Sequence, residues 1–296
     1  YLLLTGGEPF LYPGFRQLYE KLAEMGFLLS INTNGALIDD DTIRWLRESP
    51  PCRINITLYG ASEAAYEKLC GRADGFAKVK KAIEGLREAE ISVKLNCSLT
   101  PWNACDLKEM IQFAETRGLI LEIASYMFPA IRRGQQNIGR NDRFTPEETA
   151  RYMFAIQRLQ YGEEAVESYA GRILQGSIPA ALEECQEVTP DGTVRCRAGR
   201  ATFWVTWHGE MRPCGMMERP GVSVRNRNFC DAWKELTELT EQIRLSGACS
   251  RCDSQNICHA CAAMALAETG EFEKTPGYLC RMVEALRKEA AAETHL

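Results

Sequence analysis

Cysteines are the residues of this sequence best suited to chemistry, and most of them lie close together. Nine of the 13 cysteines fall between Cys185 and Cys280 of a 296-residue chain. Thiolates are soft ligands, and two cysteines separated by two residues can reach one metal centre. Short loops of this kind gain their order from a bound metal, so the spacing predicts metal ligands. The densest group is Cys249-x2-Cys252-x5-Cys258-x2-Cys261, and Cys280 follows after eighteen residues.

The spacing leaves three alternatives for these thiols. Close-set cysteines with a distant one are typical of ferredoxin-like loops, which favours iron–sulfur clusters. A four-cysteine zinc site is the second alternative, although zinc ribbons usually separate their pairs by about a dozen residues or more. Only five residues separate the pairs here. Disulfides or unligated thiols are the third alternative, and a reducing compartment disfavours disulfides.

The other cysteines give weaker signals. Cys196 and Cys214 flank a predicted hairpin, with Gly209 between them. Cys230 is either a buried thiol or a spare ligand. Free cysteine packs as a small apolar side chain, so four scattered cysteines are predicted to be buried. They are Cys52, Cys70, Cys97 and Cys105.

A second chemical signal follows the first apolar run. Gly6 and Gly7 let the backbone approach a ligand closely, and Glu8 adds a carboxylate before Pro9. A backbone carbonyl and a carboxylate together would hold an ammonium group. The alternative is an ordinary turn between a strand and a helix, with Glu8 in solvent.

These residues belong to a series of alternating strands and helices. Such a series predicts parallel strands in a doubly wound sheet or a (β/α) barrel, with the chemistry at the carboxyl ends of the strands. Residues 32–35 and 59–60 also follow strands and reach that edge. The first helix is predicted to bury Phe15, Leu18, Leu22 and Met25. Strands are predicted over residues 1–5, 27–31, 53–58, 93–99 and 121–128.

The second half of the chain has a different pattern. Thr145, Pro146 and Glu148 predict the start of a helix, and strands over 202–206 and 210–213 flank a turn. The predicted division is a barrel over 1–160, a linker with a helix over 161–190, a cysteine-rich domain over 191–285 and a tail over 286–296.

Composition restricts the partners of the protein. The net charge is −5, so neither a nucleic acid nor an anionic membrane would be attracted electrostatically. No apolar run approaches the roughly 20 residues that span a bilayer, and the first residues resemble a strand rather than a signal peptide. We expect a cytoplasmic protein with no membrane or nucleic-acid partner.

Taken together, these motifs resemble the radical S-adenosylmethionine (SAM) superfamily with a C-terminal SPASM domain. The resemblance rests on three motifs at strand ends, which are GGEP at 6–9, NTNG at 32–35 and TLYG at 57–60, and on the cysteine-rich tail. It covers nearly the whole chain. It implies an α/β fold: a partial (β/α)6 TIM-like barrel, lacking its first strand and cluster loop, followed by a small auxiliary-cluster domain.

The resemblance also assigns residues to cofactors. SAM would contact Gly6, Gly7, Glu8 and Pro9, together with Thr57 and, more weakly supported, Asn34. Two auxiliary [4Fe–4S] clusters would take eight cysteines in a crossed pattern. The first set would be Cys196, Cys214, Cys261 and an upstream cysteine, for which Cys185 is preferred over Cys230. The second set would be Cys249, Cys252, Cys258 and Cys280.

The sequence departs from this family pattern at four places. The CxxxCxxC loop that binds the SAM-cleaving cluster is absent, so a third [4Fe–4S] cluster is expected in a segment before Tyr1, and the chain alone is expected to be inactive. Two residues, rather than the usual three, separate Cys258 from Cys261. Tyr59 stands where relatives often carry Asp. Cys70 stands near the position of a SAM-binding Arg of some relatives, and Arg72 is the candidate to replace that Arg.

The activity implied by the resemblance is hydrogen-atom abstraction by a 5′-deoxyadenosyl radical, with auxiliary clusters handling electrons. The expected substrate is a peptide or protein, and the expected reductant is a flavodoxin or ferredoxin. Tyr59 is a candidate catalytic group, with a packing role as the alternative. Two other functions stay open: a zinc-stabilised peptide-binding module, and a non-catalytic barrel without the SAM cluster.

Overall fold

A computed structural model describes residues 1–131, 135–140, 142–176, 192–194, 196–258 and 260–294. The chain forms two compact units, Tyr1–Met127 and Phe128–Leu296. No helix in the described ranges is long and apolar enough to cross a membrane.

The N-terminal unit is built on a parallel sheet of five strands. Its strands are hydrogen-bonded in the order β1-β2-β3-β4-β5. A doubly wound sheet reverses its strand order, whereas a barrel does not. The order therefore confirms the predicted TIM-like α/β fold. The strands are β1 Leu2–Leu4, β2 Leu29–Thr33, β3 Arg53–Thr57, β4 Val93–Ser98 and β5 Leu121–Ala124.

Helices connect these strands. Asp39 caps α2 by accepting a hydrogen bond from the Thr42 N–H at 2.8 Å, and Ser62 caps α3 through the Ala65 N–H at 3.2 Å. Right-handed crossovers between consecutive parallel strands place such helices on one face of the sheet. The helices are α1 Phe15–Glu24, α2 Asp40–Glu48, α3 Glu63–Cys70, α4 Gly75–Glu88 and α5 Leu107–Glu115.

The buried side of α1 differs from the prediction. The helix buries Phe15 and Tyr19, whereas Leu18 and Met25 are exposed. Tyr19 packs edge-on against Trp45 of α2, with 5.3 Å between ring centroids. Its hydroxyl donates a hydrogen bond to the Ser49 carbonyl at 2.8 Å. A large ring with a satisfied hydroxyl buries more apolar area than leucine, which explains the rotated face.

The C-terminal unit combines helices with a small antiparallel sheet. Helices α6, α7 and α12 pack on one another, and the hairpin β6–β7 continues into β8. Thr145 and Glu148 form the predicted capping box of α6. The elements are α6 Pro146–Tyr161, α7 Glu163–Gln175, β6 Trp204–Val205, β7 Glu210–Arg212, β8 Val222–Ser223, α8 Phe229–Glu241, α9 Gly247–Ser250, α10 Gln255–Cys258, α11 Ala262–Thr269 and α12 Gly277–Glu293.

This division differs from the limits expected from sequence. Helix α6 lies within the C-terminal unit because it packs on α12, although residues 1–160 were predicted as one barrel domain. Helix α12 continues to Glu293 and buries Leu286 and Ala290, where a tail was predicted over 286–296. The limits of the cluster-binding domain itself stay a prediction.

Candidate cofactor site

Glu8 connects the carboxyl ends of the first two strands. Its Oε1 atom accepts hydrogen bonds from the Thr33 hydroxyl at 2.7 Å and from the Phe10 N–H at 3.2 Å. Its Oε2 atom accepts from the Asn34 N–H at 2.7 Å. The carboxylate therefore holds the turn after β1 against the turn after β2.

Neither reading of Glu8 made from the sequence included this role. Three donors occupy a carboxylate that offers about four acceptor positions, so one position is left, and a contact of Glu8 with an ammonium group stays a prediction. Gly6 and Gly7 are exposed, and a Cβ atom built on either would meet nothing within 4 Å. The open backbone of these glycines is thus the accessible part of the turn, while Pro9 is buried.

The turn after β2 is fixed by its own residues. The Asn34 side-chain oxygen accepts a hydrogen bond from the Ala36 N–H at 2.9 Å, so the amide NH2 group is the part left for a ligand. Gly35 has a left-handed φ of +75°, and a Cβ there would lie 3.1 Å from Ile56. Glycine is therefore required at this position.

Thr57 and Tyr59 extend the same edge to β3. The Thr57 side chain makes no hydrogen bond to the described part of the chain and is half-buried, which leaves its hydroxyl available to a ligand. Burial raises the pKa of Tyr59, and the charges of Cys70 and Glu8 add to the effect. The phenol therefore stays protonated at neutral pH. A catalytic role for Tyr59 stays a prediction.

Asn103 supports this edge and was missed in the sequence. Its side chain is fully buried, and its Nδ2 group donates to the carbonyls of Tyr59 at 3.0 Å and Ser98 at 3.2 Å. Its Oδ1 atom accepts from the Thr100 N–H at 2.7 Å. Asn103 thus joins the ends of β3 and β4. The only sequence signal was an Asn three residues after a Thr in a turn, which is a common local motif.

Four predicted ligands of the second cluster influence one another electrostatically. Burial raises the pKa of Cys258 to about 11, and the charges of Cys280, Cys249 and Cys252 contribute. Burial also raises the pKa of Cys280, again with contributions from Cys249 and Cys252. These four thiols therefore share one region of the C-terminal unit.

The three predicted ligands of the first cluster that the structure describes form a separate set around Cys261. Burial raises the pKa of Cys261, and the charges of Cys196 and Cys214 add to it. Cys261 is the N-cap of α11 and makes no side-chain capping hydrogen bond, and the nearby N–H groups of Met264 and Ala263 partly offset the rise in its pKa. Cys214 and Cys261 also pack against an apolar core that includes Met217 and Leu266.

Several predicted cysteines stand apart from these two sets. Cys185 lies outside the described residues. Cys230 is exposed, so its reading as a buried thiol is wrong. Of the scattered four, only Cys97 is buried. The prediction was wrong for the other three because Cys52 precedes a strand, Cys70 ends a helix and Cys105 lies in a connecting turn. Within the described ranges, no three His, Cys, Asp or Glu side chains converge closely enough to hold a single metal ion.

The barrel order, the glycine turn and the thiol sets define a class of protein. It is a (β/α) enzyme whose accessible turns lie at the carboxyl edge of its sheet. Residues 1–114 match the sequence model of the Radical SAM superfamily. The same superfamily implies SAM and a [4Fe–4S] cluster.

Known relatives extend this comparison to almost the whole chain. An AdoMet-dependent heme synthase of Methanosarcina barkeri is 22% identical over 290 residues, which cover 94% of this chain and 81% of the relative. The structure of anSMEcpe with bound AdoMet superposes with a TM-score of 0.68 at 16% identity, covering 99% and 84% of the two chains. Streptococcus suis SuiB bound to the precursor peptide SuiA gives a TM-score of 0.69 at 17% identity, covering 94% and 64%. These structures show likeness of fold.

Proposed function

We propose that the protein is a radical SAM enzyme of the SPASM type, which binds SAM at the carboxyl edge of the sheet and two auxiliary [4Fe–4S] clusters in the C-terminal unit. The observation that carries the proposal is the separation of seven described cysteines into two electrostatically linked sets. Their soft thiolates suit iron–sulfur clusters, and a reducing cytoplasm would preserve them.

SAM binding is assigned to the residues that remain accessible at the edge. The open backbone at Gly6 and Gly7 would receive the amino group of SAM. Glu8 would hold this turn in place, and Pro9 begins the short helical turn that follows. The Thr57 hydroxyl and the Asn34 amide would contact other polar atoms of the cofactor. When bound with its cluster, SAM supplies a 5′-deoxyadenosyl radical that abstracts a hydrogen atom from the substrate.

The cluster ligands follow the two thiol sets. Cys196, Cys214 and Cys261 would hold the first cluster, with Cys185 as the proposed fourth ligand. Cys230, which is exposed, is the less favoured fourth ligand. Cys249, Cys252, Cys258 and Cys280 would hold the second cluster. These clusters would exchange electrons with a reductant such as a flavodoxin or ferredoxin.

Two substrate classes have support. A peptide or protein substrate is supported by the fold shared with SuiB, whose structure contains its precursor peptide SuiA. A porphyrin-type macrocycle is supported by the heme synthases, which are similar over more than nine-tenths of this chain. Both reactions would begin with hydrogen-atom abstraction, so the proposed chemistry is the same for either class.

Metal counting after anaerobic reconstitution with iron and sulfide tests the cluster assignment. We expect about eight iron and eight sulfide per chain, with broad absorption near roughly 400 nm. One or two tightly bound zinc ions and no cluster would contradict it and favour the zinc-stabilised binding module.

Activity requires the SAM-cleaving cluster, so it is tested in a chain extended by a CxxxCxxC segment. Formation of 5′-deoxyadenosine together with a mass change in either a peptide or a porphyrin identifies the substrate class. Failure to cleave SAM with all clusters present would contradict the proposed function and favour a non-catalytic barrel.

A further inference from the structure

The two faces of the parallel sheet have opposite chemical character. One face buries apolar side chains completely, including Ile31, Ile54, Ile56 and Leu95. Successive residues of a strand point to opposite faces of the sheet, so the residues between these apolar ones lie on the opposite face, which we call the polar face. A TIM-barrel interior is ordinarily filled by bulky branched side chains, so a polar one indicates a binding surface. The polar face comprises Ser30, Asn32, Arg53, Asn55, Thr57, Lys94, Asn96, Ser98 and Glu122, with the apolar Leu3 and Ala124 on its two outer strands.

Three buried polar atoms on this face have no hydrogen-bond partner among the described residues. They are the Ser30 hydroxyl oxygen, the Arg53 Nε atom and the Asn55 Oδ1 atom. Ser30 is 1% exposed and Asn55 is 8% exposed. Ser30 and Arg53 are register partners, and Asn55 shares the strand of Arg53. An unpaired buried polar group costs about 1–3 kcal/mol, so a cluster of three indicates a polar ligand or ordered water.

The unpaired charge of Arg53 favours an anionic ligand over a neutral one. Lys94 forms an ion pair with Glu122, whereas Arg53 has no carboxylate partner in the described part of the chain. A guanidinium cannot lose its proton, and its planar fork matches a carboxylate. A single unpaired cation balances one carboxylate, while phosphate groups usually recruit several donors or a helix N-terminus.

We propose that the polar face binds a carboxylate of the substrate, with Arg53 as the charged anchor and the Ser30 hydroxyl as a flanking donor. The Asn55 Oδ1 atom is an acceptor and is left to an ordered water rather than to the carboxylate. This inference rests on the proposed radical SAM function and narrows its substrate class. The carboxylate can come from a porphyrin-type macrocycle or from a peptide, because Arg53 recognises the same chemical group in both.

The position of Arg53 assigns it to substrate placement rather than to the radical step. Arg53 begins β3 and Thr57 ends it, which separates their backbones by about 13 Å at the usual rise of a parallel strand. The substrate must therefore extend well away from its reacting carbon. Binding energy gained at such a distance orients the substrate at the reaction centre.

The test compares carboxylate probes with their neutral counterparts on the reconstituted full chain with SAM present. The probes are metal-free protoporphyrin and its dimethyl ester, and a glutamate-containing peptide and its glutamine counterpart. Binding is measured by fluorescence anisotropy for wild type, Arg53→Gln, Arg53→Lys and the exposed-helix control Arg87→Gln. SAM affinity and urea unfolding are measured on the same samples.

We expect one carboxylate probe to bind wild type and Arg87→Gln equally, and to bind Arg53→Gln at least about tenfold more weakly. The neutral counterpart should bind wild type as weakly as the carboxylate probe binds Arg53→Gln. The affinity of Arg53→Lys for the carboxylate probe should be intermediate. Whichever probe responds identifies the source of the carboxylate. Because the Arg53 Nε atom has no partner to lose, Arg53→Gln should unfold at no lower urea concentration than wild type.

Three outcomes would overturn this inference. They are equal binding of acid and neutral probes, unchanged binding by Arg53→Gln, or no binding of either acid by wild type. Marked destabilisation of Arg53→Gln would assign Arg53 a structural role instead. SAM affinity separates the two proposals. If wild type does not bind SAM, the proposed function is contradicted. If wild type binds SAM but not the carboxylate probes, only the inference about the polar face fails.

Discussion

The carboxylate of Glu8 accepts a hydrogen bond from the backbone N–H of Asn34 at 2.7 Å, across two neighbouring strand ends. The same carboxylate accepts from Thr33, whose hydroxyl oxygen in turn accepts from the Gly35 N–H at 3.0 Å. Hydrogen bonds to a charged acceptor are shorter and stronger than neutral ones. Glu8 therefore sets the shape of the edge at which Gly6 and Gly7 are open.

Replacing Glu8 should loosen this edge and weaken SAM binding. Glu8→Ala removes all three hydrogen bonds and should lower the free energy of unfolding by about 2–3 kcal/mol. Glu8→Gln keeps one acceptor oxygen but loses the other, so its effect should be smaller. Urea unfolding and calorimetric titration with SAM measure the two effects.

Glu24→Ala is the matched control for this prediction. Glu24 is exposed at the end of α1 and pairs with the exposed Lys21, so its loss should change the free energy of unfolding by less than about 1 kcal/mol. If Glu8→Ala behaves like this control, Glu8 does not hold the edge together.

The sequence predicted the sheet well because each strand is a short apolar run followed by a turn. The ends of β1 and β3 lie within a residue or two of their predicted positions. The buried side of α1 was less predictable. Spacing identifies an apolar face, but it does not tell that Tyr19 will find a carbonyl acceptor in Ser49.

The turn that carries the candidate site was predictable from the sequence, but its hydrogen bonds were not. The glycine turn identified Gly6 and Glu8, whereas the donors that reach Glu8 come from another strand and follow no local pattern. Asn103 was missed because its partners belong to two different strand ends. Contacts between distant segments depend on the packed sheet, which one sequence does not specify residue by residue.

Two cysteines that are close in sequence should belong to different clusters. Cys258 interacts electrostatically with Cys280, while Cys261 interacts with Cys196. Cys258→Ser/Cys280→Ser should therefore lose about four iron atoms, because both changes affect one cluster. Cys258→Ser/Cys261→Ser should lose about eight, because each change affects a different cluster. Iron and sulfide analysis after anaerobic reconstitution measures both.

Cys230→Ser provides the control for these variants, since Cys230 is exposed and outside both sets. It should retain the iron content of wild type. Equal iron loss in the two double variants would contradict the crossed assignment.

Removing one partner of a buried ion pair should strongly destabilise the C-terminal unit. Arg143 binds Glu268 through two hydrogen bonds of 2.6 and 2.8 Å, and both side chains are almost fully buried. The guanidinium also lies 3.8 Å from the ring centroid of Tyr278. Glu268→Ala leaves a buried charge unpaired and should cost about 3–5 kcal/mol in urea unfolding.

An exposed pair in the same unit supplies the comparison. Glu271 pairs with Arg219 at the surface, so Glu271→Ala should cost about 0–1 kcal/mol. The double variant Arg143→Met/Glu268→Leu should recover much of the stability lost by Glu268→Ala, because neither charge remains buried. No recovery would mean that the cost arises from packing rather than from the unpaired charge.

Cys97 should resist alkylation at a pH where exposed cysteines react. Burial raises its pKa to about 12 from an ordinary value of 9.0, and only the thiolate is nucleophilic. In the apoprotein at pH 8.5, iodoacetamide should modify the exposed Cys52 and Cys230 within minutes and leave Cys97 intact, as mass spectrometry of the digested protein would show.

The raised pKa of Cys97 also makes the free energy of unfolding decrease at alkaline pH. The folded state keeps the Cys97 proton while the unfolded state releases it above about pH 9, so the unfolded state binds fewer protons. The contribution of Cys97 to stability is therefore fully present below about pH 9 and declines as pH rises toward about 12. Cys97→Ala lacks the titrating thiol and should lose stability less steeply than wild type over this range. Parallel curves for the two proteins, or alkylation of Cys97 as fast as Cys52, would show that its thiol is accessible in the folded protein.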